Sequence, residues 1–166
     1  MANITNLLLV IAVAGVVFSI FAYQGRIEAY TLTEFDDVDL SVPQRFQIKE
    51  EWNTHTNEFL LCLYGRVEGT TVVVDTVEPG DASFEGEDAT DAVCQDRFFS
   101  KNPLIGTIHS HPSGDCRPGR TDILVFGRSQ TALLGIVCSS NNLVFYTQQD
   151  LIIGLPGHIG NLVSTT

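Results

Sequence analysis

The run Gly106-Thr-Ile-His-Ser-His-Pro-Ser-Gly-Asp-Cys-Arg-Pro-Gly-Arg-Thr-Asp122 constrains this chain more than any other stretch. It carries His109 and His111 one residue apart, then Asp122 beyond a loop with two prolines and two glycines. Leu104 to Ile108 reads as a short buried strand, and Asp122 to Arg128 reads as the start of a helix. Alternate residues of an extended chain point the same way, so the H-x-H spacing sets both imidazoles on one side. Two histidines and a carboxylate are suitable donors for a catalytic Zn2+ site, where three protein ligands leave a fourth position open for chemistry. A purely structural reading also exists, in which Asp122 complements the helix dipole and the histidines are incidental.

Upstream, Arg26 to Thr33 reads as a short strand and Glu34 to Leu40 as an acidic loop. Ser41-Val42-Pro43 marks a helix entry, with Pro43 suited to the first turn. The helix continues over Gln44 to His55 with Phe46, Ile48 and Trp52 facing the core, although Gln47-Ile48-Lys49 also suits an extended chain. Phe59 to Tyr64 is a continuous apolar run ended by Gly65, the pattern of a strand buried on both faces. Gly69 marks a turn into the β-branched segment Thr71 to Val77, which predicts a hairpin. Glu78 to Asp91 is an acidic surface excursion and Ala92 to Ser100 a short helix. Leu133 to Cys138 and Leu143 to Thr147 are two more strands around the turn Ser139-Ser-Asn-Asn142. The tail from Leu151 to Thr166 has no clear period. Strands alternating with helices predict an α/β fold around a mixed sheet.

The N-terminus differs in kind. Leu7 to Ala22 is apolar apart from Ser19, Met1 to Gly25 carries no charged side chain, and Ile4 and Tyr23 lengthen the run. That approaches the roughly 20 residues of a membrane span. A cleaved signal peptide needs a basic leader and a small-x-small site, and neither is present in convincing form. A retained single-pass transmembrane anchor is the preferred expectation. Arg26, the one nearby cation, weakly favours a cytoplasmic position for the C-terminal domain.

A net charge of −11 excludes a basic surface of the kind that neutralises nucleic-acid phosphates. The 20 acidic residues face only two lysines, Lys49 and Lys101. Such a surface suits a halophilic source, or simply an acidic domain. None of the four cysteines, Cys62, Cys94, Cys116 and Cys138, belongs to a C-x-x-C pair, which argues against a zinc knuckle. Cys62, within the apolar run, is expected to be a buried free thiol.

A bound metal needs a proton acceptor beside it. Glu58 stands directly before six apolar residues, where a carboxylate is costly unless it faces a polar site. A solvated Glu at a strand entry is the commoner reading, and nothing local raises Glu58 above Glu50 or Glu51. The segments Asn57-Glu58-Phe-Leu-Leu-Cys-Leu-Tyr-Gly65, Gly106-Thr-Ile-His-Ser-His-Pro112 and Arg117-Pro-Gly-Arg-Thr-Asp122 together resemble the JAMM/MPN family of zinc metalloproteases. The resemblance runs from about Pro43 to Thr147 and is greatest to small stand-alone prokaryotic and archaeal members. The family's ten-residue gap between the second histidine and the aspartate is reproduced here.

The resemblance implies a cytidine-deaminase-like mixed sheet flanked by helices. It implies Zn2+ ligated by His109, His111 and Asp122, with Glu58 as the general base that moves a proton from zinc-bound water to the leaving amine. The implied substrates are conjugates of ubiquitin-like modifiers, cut after the C-terminal glycine. Where the family carries an oxyanion-stabilising serine this chain has Gly119, and losing one such donor costs about 10² to 10³ in rate. Ser113, Thr121 or a loop amide are the substitutes at hand. The resemblance also implies a Cys116–Cys138 disulfide clamping the loop, against two free thiols. Such a bridge would be unusual in a reducing cytosol.

The expected layout is an anchor over 1–25, a linker with a first strand over 26–42, a JAMM/MPN domain over 43–150 and a C-terminal tail over 151–166. Two alternatives to a working isopeptidase remain. His111-Pro-Ser-Gly-Asp115 also resembles the RadC-type branch, which the acidic charge and the anchor disfavour. A catalytically weak scaffold within a membrane or virion assembly is favoured by Gly119.

Overall fold

The computed structural model describes residues 35–85, 90–95, 102–129, 131–153 and 157–161. The expected anchor at 1–25 and the expected strand at Arg26–Thr33 lie outside the described residues. Among the described residues no helix is long and apolar enough to cross a membrane.

The elements run β1 (Asp37–Asp39), α1 (Val42–Thr54), β2 (Leu60–Glu68), β3 (Thr71–Pro79), β4 (Asp81–Glu85), β5 (Thr90–Val93), β6 (Leu104–Ser110), α2 (Arg120–Phe126), β7 (Leu133–Ser139), β8 (Asn142–Tyr146), α3 (Gln148–Ile153) and β9 (His158–Asn161). Seven strands form one sheet in the order β1-β3-β2-β6-β7-β8-β9, and β4 pairs with β5 in a separate ribbon. The pairs β1/β3 and β6/β7 are parallel and the other neighbours antiparallel. The protein is thus an α/β domain built on a mixed sheet.

The apolar runs occupy the middle of that sheet. Leu61, Cys62, Leu63 and Tyr64 of β2, Ile105 and Ile108 of β6, and Leu133 to Cys138 of β7 apart from Gly135 are all buried hydrophobics, so the central strands bury both faces. Full burial of each large apolar side chain is worth about 1.5–3 kcal/mol, which fixes the sheet's register around β6. Gly65 does not end β2 as its position after the apolar run suggested. The strand continues to Glu68 through a register shift between Tyr64 and Gly65. A side chain at Gly65 would collide with the Val73 carbonyl oxygen, so only glycine lets β3 approach there.

Helix α1 begins where expected. The Ser41 N–H donates to Gln44 Oε1 at 2.7 Å, one half of a capping box. Gln44 Nε2 also donates to the Val74 carbonyl at 2.9 Å, and Gln47 Nε2 to that of Val77 at 3.2 Å, seating the helix along β3. Ile48 is fully buried and Trp52, four residues on, is half-buried. Phe46, expected in the core, is 67% exposed. Two residues are about 200° apart on a helix, so Phe46 and Ile48 cannot share a face.

Four local expectations change. The acidic segment at 34–40 contains β1, added parallel to β3. The excursion at Glu78–Asp91 is mostly strand: β3 runs to Pro79 and β4 pairs with β5. Ala92 and Val93 end β5 rather than start a helix, and the remainder of that expected helix, from 96 onward, lies outside the described residues. Cys62 is not free: it is bonded to Cys94. The partner comes from 32 residues away through the β3–β5 excursion, a pairing with no local sequence signal.

Candidate metal centre

His109 is the penultimate residue of β6, and its register partners are Leu60 on β2 and Ile136 on β7. The chain stays extended past the strand's end because the His111 N–H donates to the Val137 carbonyl at 2.8 Å. Both imidazoles therefore face one side, as the H-x-H spacing predicted, and their Nε2 atoms lie 3.0 Å apart. The intervening Ser110 points the other way and is buried. Its hydroxyl accepts the Phe59 N–H at 3.0 Å, while its own N–H donates to the Phe59 carbonyl at 3.2 Å. That clamp fixes the residue immediately after Glu58 against the histidine pair. Sequence reasoning missed Ser110, whose one signal is a small polar residue between two histidines at the end of a buried strand.

Asp122 arrives on the first turn of α2. Gly119 is the N-cap, and its N–H donates to Asp122 Oδ2 at 2.6 Å. The same carboxylate faces the histidines, with Oδ1 at 3.5 Å from His109 Nε2 and Oδ2 at 3.3 Å from His111 Nε2. Helix capping and histidine contact thus coexist in one side chain. The three side chains are 12%, 13% and 21% exposed.

The donor set is close to what a small tetrahedral ion needs. Two ligands at about 2.0–2.1 Å from such an ion lie roughly 3.3–3.4 Å apart. The two Nε2 atoms are 3.0 Å apart, and Asp122 meets His109 through Oδ1 at 3.5 Å and His111 through Oδ2 at 3.3 Å. One donor atom from each residue keeps the set within 4.8 Å. His111 Nδ1 lies 2.8 Å from the Asp115 carbonyl oxygen, which only accepts. Nδ1 therefore carries the proton, and Nε2 can turn a lone pair inward.

Charge follows from these contacts. Burial pushes the Asp122 carboxyl up, but hydrogen bonds from His109 and His111, the charge of His109 and the Gly119 N–H outweigh it, holding the group well below the usual carboxylate range. The carboxylate is thus held in its anionic form. The hydrogen bond to Asp122 raises His111 against the opposing effect of burial. A divalent ion competes for that lone pair with the proton.

The ligand loop is heavily tied. Gly114 has φ +81°, a left-handed conformation that glycine adopts freely, and its N–H donates to the His111 carbonyl at 2.9 Å. Arg117 forks onto both Asp115 oxygens at 3.0 and 2.9 Å and holds that carboxyl down at about 2. Cys116 is bonded to Cys138 on β7, and the Cys116 carbonyl accepts from Tyr146 Oη at 2.9 Å.

Glu58 lines a cleft of about 510 Å3 together with His109, Thr121 and Asp122. Its charge also acts on His111. The structure thus brings Glu58, His109, His111 and Asp122 together. Of the oxyanion candidates, Thr121 faces the cleft, Gly119 spends its N–H on Asp122, and the Ser113 hydroxyl is turned to the Asp115 N–H at 3.5 Å.

The fold is similar to the crystal structure of a JAB1/MPN domain protein from Archaeoglobus fulgidus, with 22% sequence identity, coverage of 75% of this chain and 93% of that chain, and a TM-score of 0.45. No protein-family model and no curated protein matches the sequence.

Proposed function

We propose that this chain is a zinc-dependent peptidase or isopeptidase of the JAMM/MPN type, acting on conjugates of ubiquitin-like modifiers and held at a membrane by residues 4–23. The observation that carries the reading is the convergence of His109, His111 and Asp122 within 4.8 Å of one another in a cleft also lined by Glu58. Two imidazoles and one carboxylate suit zinc and leave a tetrahedral position open. When bound, the ion supplies Lewis-acid polarisation and acidifies water.

The chain's own residues provide the rest. Asp122 contributes the negative charge of the ligand set, and the Nδ1-protonated tautomer aims His111. Glu58, positioned through the Phe59–Ser110 clamp, accepts a proton from water and returns it to the departing amine. Thr121, which lines the cleft beside Asp122 in sequence, is the hydroxyl assigned to take over from the serine that Gly119 lacks. The two crosslinks favour an oxidising surrounding over a reducing cytosol, and so weigh against the side indicated by Arg26.

The test is metal analysis of the purified chain beside cleavage of a ubiquitin-like protein ending in Gly-Gly and fused to a reporter. One equivalent of zinc with cleavage that Glu58→Gln abolishes supports the reading. Zinc without any turnover supports the scaffold reading, which Gly119 favours. A chain that takes up no metal sinks both.

A further inference from the structure

The cleft beside the ligands is built from one face of the sheet. Leu60 pairs with His109, Cys62 with Thr107, and Thr107 with Leu134, so these side chains share a face with a metal ligand. On β2 the Cys62 side chain lies between Leu60 and Tyr64, two residues either way, and carries the crosslink to Cys94. That bond stands Val93 and Cys94 up as a wall of the cleft, and Val125 and Phe126 of α2 supply another. The Gln95 carbonyl accepts from Tyr64 Oη at 3.0 Å, a second tie one residue farther on.

The chemistry of the lining selects an occupant. Among the described residues its lining contains no lysine or arginine, and its charged residues are the carboxylates Glu58 and Asp122 with His109. Away from the metal ligands, this described lining offers a charged or polar side chain no cationic partner. Two of its hydroxyls are already engaged: Ser129 Oγ donates to the Phe126 carbonyl at 2.8 Å and lies 2.8 Å from Thr131 Oγ1. Val93 and Val125 are 62% and 63% exposed, apolar side chains left open on two different elements around one cavity. A volume of about 510 Å3 lies within the range of a ligand pocket.

We propose that this cleft is the subsite for an apolar side chain of a peptide segment, and that the Cys62–Cys94 disulfide is a positioning device that holds its wall. The inference rests on the peptidase reading for its relevance, but its test needs no turnover. The zinc-loaded full chain, with 13C-methyl leucine and valine, is titrated with N-acetyl-leucinamide and separately with the neutral polar N-acetyl-asparaginamide. The leucine amide is expected to shift the methyls of Leu60, Val93, Leu104, Val125 and Leu134, with the asparagine amide bound at least about tenfold more weakly.

Val93→Asp, at an exposed position that does not carry the core, is expected to weaken the leucine amide about tenfold. Cys94→Ala leaves the buried Cys62 side chain in place and is expected to weaken it about fivefold while one equivalent of zinc stays bound. Equal binding of the two amides, or shifts unchanged in Val93→Asp, overturns the subsite. Unchanged leucine-amide binding in Cys94→Ala, or zinc lost together with it, overturns the positioning role. Methyl shifts as expected in a chain that cleaves nothing leave the subsite standing and remove only the peptidase reading.

Discussion

The ligand loop at 111–119 and the cleft wall at 93–95 are both held to the sheet by a disulfide, yet they are held differently. Cys116 is bonded to Cys138 on β7 and Cys94 to Cys62 on β2, over separations of 22 and 32 residues. Loop entropy grows slowly with length, so the two bonds should stabilise the fold almost equally, by about 3–4 kcal/mol each. The loop, however, is also fixed by the His111–Val137, Gly114–His111, Tyr146–Cys116 and Arg117–Asp115 bonds. Among the described residues the wall has the pairing of Val93 with Asp81 in the β4–β5 ribbon, the Tyr64–Gln95 bond and a surface contact from Gln95 Nε2 to Asp81 Oδ2. A metal site tolerates little displacement of its donors, whereas a substrate wall can shift and still admit substrate. The redundancy sits where the geometry is least forgiving.

The comparison breaks most completely if the histidine pair is not the metal site. His109→Ala combined with His111→Ala is expected to lower bound zinc from one equivalent to none, read by metal analysis of the purified chain. Zinc retained at full stoichiometry would move the ion elsewhere and leave the loop's many ties without a purpose.

Gly119 closes the ligand loop, and Gly119→Ser tests whether the loop lacks a donor. A restored hydroxyl is expected to raise turnover about 10²-fold. The new Cβ would stand 3.2 Å from Asp122 Oδ2, close enough that the carboxylate must give by a few tenths of an ångström. A severalfold weaker zinc affinity should accompany the gain. Unchanged turnover with zinc still bound would leave the oxyanion to Thr121 or a loop amide.

The two crosslinks should then separate by function and not by stability. Cys116→Ala with Cys138→Ala, and Cys62→Val with Cys94→Ala, are each expected to cost about 3–4 kcal/mol in denaturant unfolding. The first pair should weaken zinc by about tenfold, in the range of lost outer-shell support. The second should raise KM with zinc affinity unchanged. Equal effects of both pairs on zinc would erase the distinction between loop and wall.

Much of this division could be read from the residues, though not all. The apolar runs at Phe59–Tyr64, Leu104–Ile108 and Leu133–Cys138 announce β2, β6 and β7 because burial on both faces leaves few polar positions. The H-x-H spacing announces a shared face, and Ser41-Val42-Pro43 announces the start of α1. The acidic stretch at 78–91 hid β4 and β5, since backbone pairing in a ribbon requires no apolar alternation to advertise it. The bond from Cys62 to Cys94 was equally hidden, because it depends on where that ribbon returns the chain. Glu58 could be named from family resemblance, but what holds it could not: the Ser110 hydroxyl acts across 51 residues of sequence.

Ser110 offers the smallest and most specific test, since it touches neither the loop nor the wall. Ser110→Ala removes the acceptor of the Phe59 N–H in a buried setting, leaving the backbone bond from residue 110 to the Phe59 carbonyl intact. An unsatisfied buried donor costs about 1–3 kcal/mol, and the surviving backbone bond should keep the loss near the low end, about 1 kcal/mol. Because Phe59 follows Glu58 directly, the freed peptide loosens the base without disturbing any ligand atom. The expected result is turnover reduced severalfold, with zinc stoichiometry and KM unchanged. Ser110→Thr keeps a hydroxyl and should recover most of the rate if its extra methyl is accommodated. A rate unaffected by Ser110→Ala would mean that Glu58 is positioned by other contacts, and that the clamp serves only the packing of β2 against β6.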